Sequence, residues 1–99
     1  MLTSKQRAVL RGIANSYETI LTVGKGEIDG AVIKQADDAL KAREMIKCRV
    51  LENSPYSSRE AADILSQSTS SDVVQVIGSR FILYRANTDI PKEKRIPLK

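Results

Sequence analysis

The stretch VVQVIGSRFILYR, residues 73–85, constrains the fold more than any other. Two apolar runs rich in β-branched and aromatic residues meet at Gly78-Ser79, a two-residue link that favours a tight hairpin. A lone hairpin is marginal in water, so the chain must supply further strands and a cover. EMIKCRVLEN (44–53) supplies a third strand, because it alternates: Ile46, Cys48 and Val50 point one way, Lys47 and Arg49 the other. ETILTV (18–23), short and β-branched, supplies the fourth.

The segments between carry helical spacing. Thr3 or Ser4 caps a first helix to about Asn15, with Gln6, Val9, Leu10, Ile13 and Tyr17 toward the core. Arg7 and Arg11 fall on the opposite side, with Lys5 on the flank, and Gly12 suits close packing. Asp29 caps a second helix, 30–43, burying Val32, Ile33, Ala36, Ala39 and Leu40. SSRE (57–60) matches a capping box for a third helix to about Ser68. The predicted order is α-β-α-β-α-β-β, a single small α/β domain with a four-stranded mixed sheet. Right-handed crossovers in two successive βαβ units put their helices on one side, and all three helices are expected on that face. Residues 1–86 form the domain, and 87–99, with KEKR, form a basic tail of weak order.

Composition removes whole classes of chemistry. At 99 residues there is room for one core, and 41% hydrophobic with 28% charged residues is ordinary for a globular domain. There is no histidine and one cysteine, Cys48, so an intrachain disulfide, the usual transition-metal ligand sets and histidine-based triads are unavailable. No cofactor is expected and no catalytic machinery is visible; Asp37-Asp38 reads as solvated helix surface. No apolar run is long enough to span a membrane, and the N-terminus lacks a secretory core, which implies a cytoplasmic protein; a monomer is expected. The formal charge of +4 and pI near 9.4 favour polyanionic partners.

The loop TVGKGE (22–27) raises the question of a phosphate. A nucleotide P-loop needs glycine at 19 and Ser or Thr at 26, where Thr19 and Gly26 stand. A dinucleotide fingerprint needs glycine at 29, which is Asp29. The remaining ligand use is a KH-type turn, whose bare backbone amides and following helix N-terminus hold a nucleic-acid phosphate. The alternative is a tight βα turn that needs positive φ.

The motifs LTSKQRAVLRGIA, TVGKGEI, ALKAREMIKCRVLEN and VVQVIGSRFILYR resemble, in order and spacing over residues 2–85, the CRM-domain family, in particular its bacterial single-domain YhbY-type members. The resemblance implies an RNA-binding domain with a fold similar to the C-terminal domain of translation initiation factor three. It implies association with ribosomal RNA of large-subunit precursors during ribosome assembly, with ribosomal proteins as further partners. The family loop is G-x-x-G; here it reads Gly24-Lys25-Gly26-Glu27, so a carboxylate replaces the final glycine. Glu27 beside a phosphate weakens binding by up to about 1 kcal/mol at an exposed site, unless Gly26 carries the strained conformation.

The expected RNA-binding set is therefore Gly24, Lys25 and Gly26, with Lys5, Arg7 and Arg11 of the first helix extending the same surface. Lys34, one turn into the second helix, joins them. Lys47, with Arg49 and Gln75, belongs either to a second basic surface or to the polar side of a half-buried sheet. The rival function is a protein-interaction module that uses the open sheet face.

Overall fold

A computed structural model describes residues 2–97. Its elements are α1 (Ser4–Ala14), β1 (Thr19–Val23), α2 (Gly30–Arg43), β2 (Met45–Val50), α3 (Ser58–Thr69), β3 (Asp72–Ile77) and β4 (Arg80–Tyr84), then a 3-10 turn, Lys92–Lys94. The strand order is β1-β2-β4-β3, with β1 and β2 parallel and the other neighbours antiparallel. The predicted order and the mixed four-stranded sheet are both present.

Local chemistry explains the boundaries. Thr3 and Gln6 close a capping box on α1, and Ser57 and Glu60 do so on α3. Asp29 Oδ1 accepts from Val32 N at 3.1 Å and starts α2. Gly78, at φ +56, makes the two-residue turn between β3 and β4. Glu44 ends α2 at φ 64, an uncommon conformation for a residue with a side chain.

Alternation splits β2, β3 and β4 between two cores, while β1 contributes to one. On one face Leu21, Ile46, Cys48, Phe81 and Leu83 pack with Ala36 and Leu40 of α2 and Ala61, Ala62 and Leu65 of α3. On the other face Met45, Val74, Ile82 and Tyr84 pack with Leu10 and Ala14 of α1, and with Leu2 and Ile96. The expectation of three helices on one face is therefore corrected. α2 and α3 are crossover helices, and consecutive right-handed crossovers in one direction share a face. Helix α1 lies in no crossover, so it is free to cover the other side. Val9, expected in the core, is 43% exposed, and Gly12 has nothing within 4 Å of where a Cβ would stand, so close packing does not explain it.

Glu44 and the segment after Ala86 complete the second face. The buried Glu44 carboxylate accepts Asn87 N at 2.7 Å and Ile96 N at 2.8 Å. Its carbonyl accepts Arg85 N at 2.7 Å. The basic segment 87–97 is thereby tied back to the sheet; Leu98 and Lys99 lie outside the described residues.

Candidate nucleic-acid interface

The glycine loop leaves the C-terminal end of β1 and enters α2. Lys25, Gly26 and Glu27 are exposed, and among the described residues no protein acceptor takes the amides of residues 24–28. Neither loop glycine has positive φ, so the turn does not need glycine for its conformation, and Gly26 carries no strain. Packing does not require it either. A Cβ on Gly26 would meet nothing within 4 Å, and one on Gly24 would make an ordinary 3.7 Å contact with Leu51. What the missing side chains leave is a bare outer backbone just before a helix N-terminus, where amides and dipole favour an anion.

The remaining predicted residues do not gather around that loop. Arg7 and Arg11 sit at the flank of α1, over the far edge strand β3, where Arg7 Nε donates to Val73 O at 3.3 Å. With Arg59 of α3 they line a polar groove of about 540 Å³ along Val73–Val76. They flank the core instead of opposing it, since α1 packs toward the β3 side of the sheet. Three strand spacings, roughly 14 Å, separate this edge from β1. Lys5 projects roughly 160° around the helix from Arg7, away from the sheet. Lys34 Nζ already bonds Asp38 Oδ2 at 2.8 Å, and that bond raises its pKa. Lys47 is half-buried and donates to Tyr17 O at 3.2 Å, holding the turn after α1 against β2.

The register joins the two ends. Thr22 pairs with Arg49, Arg49 with Arg80, and Arg80 with Ile77, giving one row across all four strands. All four residues are exposed, on the part of the α1 face that α1 leaves uncovered. Val50 N donates to Ser79 O at 2.7 Å, so the neighbouring Arg49–Arg80 pair is the non-hydrogen-bonded one, where side chains approach most closely. Like charges directly opposite are unfavourable, and among the described residues no carboxylate pairs with either guanidinium. Arg85, by contrast, is committed to the fold: it bonds Asp37 Oδ1 and Thr69 O, each at 2.7 Å.

Arg49 and Arg80 were visible as basic strand residues, but their pairing depends on a register between strands thirty residues apart. Arg59 gave no signal, because only the packing of α3 beside β3 brings it to the groove. Among the described residues no group of His, Cys, Asp or Glu is placed to hold a metal, and no helix is long and apolar enough to cross a membrane. Burial pushes the Cys48 thiol up to about 12, which keeps it neutral and unreactive.

Residues 2–85 match the family model of the CRS1 / YhbY (CRM) domain. The chain is 39% identical over 89 residues to the "Probable RNA-binding protein YqeI" of Bacillus subtilis, spanning 90% of this chain and 93% of that one. It is 25% identical to an RNA-binding protein of Haemophilus influenzae, spanning 89% of each. Among solved structures, the solution structure of the hypothetical protein SAV1595 from Staphylococcus aureus, a candidate RNA-binding protein, superposes with a TM-score of 0.78. It is 44% identical, with 98% of this chain and all of that one covered.

Proposed function

The chain belongs to the CRS1/YhbY (CRM) domain family, and from that premise we propose that it is an RNA-binding protein, not a catalyst, that grips the ribose-phosphate backbone. The observation that carries this reading is the glycine loop: amides without protein acceptors, in a loop exposed at Lys25–Glu27, at glycines that neither backbone conformation nor packing requires. Lys25 adds a mobile ammonium beside them, and Arg7 and Arg11 extend the contact along the β3 edge. Glu27, exposed next to Gly26, puts a carboxylate beside this grip.

The RNA in this proposal is ribosomal, in precursors of the large subunit, and the role is in their assembly; the family resemblance supports this, with ribosomal proteins as neighbouring partners. The rival module needs an open, protein-adhesive sheet face. Helix α1 covers part of that face and the rest presents two arginines, which suits a polyanion better.

Changing Lys25, Arg7 and Arg11 together to alanine tests the reading. RNA affinity should fall at low salt, and the slope of log affinity against log salt should shrink by roughly 0.7 per lost contact, with the fold intact. Unaltered affinity and slope would favour the rival.

A further inference from the structure

The exposed row Thr22–Arg49–Arg80–Ile77 borders a groove that phosphate contacts alone do not account for. The groove holds about 420 Å³ between the end of α1 and the sheet. Asn15 and Tyr17 form its α1 side; Lys47, Gln75, Ile77 and Arg80 form the sheet side. These groups divide by chemistry. Gln75 and Asn15 carry amides that both donate and accept, as the edge of a base requires. Ile77 is 62% exposed and offers an apolar contact, while Tyr17 offers a planar group for stacking. Arg49 and Arg80 stand side by side at the rim, unneutralised by any carboxylate among the described residues. In this sheet Phe81 faces the core of α2 and α3, and Tyr84 is buried under α1, so no aromatic stacks on bases from the strands themselves.

Building on the RNA reading above, we propose that this groove takes the base of an unpaired nucleotide, with its flanking phosphates on Arg49 and Arg80. The ligand is thus a single-stranded segment that crosses the sheet between the glycine loop and the Arg7–Arg11 edge. The row spans the required roughly 14 Å in three strand spacings. A base held in a duplex keeps its edge paired and its faces stacked, so it cannot enter. Phosphate contacts position a nucleic acid while base contacts specify it, and the two kinds of residue here make the two effects separable.

Binding of single-stranded homopolymers of about 12 nucleotides, one for each base, is measured at several salt concentrations by fluorescence anisotropy. Arg49→Ala with Arg80→Ala should weaken all four by about tenfold, roughly threefold for each exposed ion contact. It should also lower the salt slope by about 1.4 and leave the order of preference unchanged. Gln75→Ala should change the ratio between homopolymers by threefold or more at an unchanged salt slope. A hairpin duplex with the same number of phosphates should bind more weakly than the preferred single strand. The proposal falls if the duplex binds as well, if an acidic peptide of equal charge displaces the RNA as readily as free single strand does, or if neither variant changes affinity or preference. In that last case, weakened binding by the Lys25, Arg7 and Arg11 variant leaves the RNA function standing, whereas absence of RNA binding by the unaltered protein removes both. Thermal melting of each variant confirms the fold, because Arg49, Gln75 and Arg80 lie outside both cores.

Discussion

The two faces of the sheet are made from alternate residues of the same strands, and they have come to opposite uses. Under α2 and α3 the row Leu21–Cys48–Phe81–Val76 is closed, apolar and capped by two crossover helices. One residue further along each central strand, the row through Arg49 and Arg80 is open and charged, and α1 stops short of it. The difference follows from the period of two in a strand, which gives the buried row and the exposed charged row separate residues within six positions of chain. It also follows from topology, because one face must be covered by the crossovers while the other is covered only as far as α1 and the returning C-terminal segment reach.

The largest test of this contrast sets Phe81 against Ile77. Phe81→Ala should cost about 3–5 kcal/mol through the cavity it leaves, whereas Ile77→Ala should stay within about 0.5 kcal/mol. Denaturant unfolding measures both, and equal losses would mean that the open row is a hidden part of the core.

Next comes the clasp on the partly covered face. Glu44→Ala removes the acceptor for Asn87 N and Ile96 N, two hydrogen bonds to a charged group at about 1.5–3 kcal/mol each. A loss of about 3–6 kcal/mol is expected, since alanine at φ 64 brings no relief of backbone strain to offset it. Amide exchange at Ile96 should speed up first. If protection at 87–96 survives the substitution, the segment is held by something other than the carboxylate.

On the solvent side of α1, Gly12→Ala should raise stability by about 1 kcal/mol, because nothing occupies the space for a methyl group and alanine is the better helix former. A loss would reveal a contact on that side.

The smallest effect is electrostatic and belongs to the closed face. Hydrogen bonding from Arg85 holds the Asp37 carboxyl below its ordinary 3.8, and the Ser57 amide and hydroxyl hold Glu60 below its ordinary 4.5. Each is charged in the folded state where the unfolded chain already binds a proton. Their stabilisation is therefore complete above those ordinary values and is lost as pH falls through the depressed ones. Melting temperature followed below pH 4.5 should decline, and Asp37→Asn should make that decline shallower.

What the sequence made legible was local. The Ser57–Glu60 capping box, the Asp29 cap and the Gly78 turn rest on residues within three or four positions, and all appear where expected, with Thr3 the cap taken of the two residues offered for α1. The alternation around Cys48 gave the buried face of β2 directly. The side on which α1 packs was not legible, because chain order restrains only helices that connect parallel strands. Nor was the Glu44 clasp, whose partners lie more than forty residues away. Lys5, Lys34 and Lys47 carried the right charge, but one faces away, one is engaged by Asp38 and one braces a turn. Charge can be read from composition, whereas its availability depends on packing.

The account turns on glycines that serve a ligand and not the fold, and Gly26→Ala tests this in one protein with two readouts. Thermal stability should hold or rise, by up to about 1 kcal/mol, while affinity for single-stranded RNA falls several-fold as the methyl group blocks the approach to the amides. A destabilised domain that binds RNA as tightly as before would show that the turn exists for the fold, and would contradict the account.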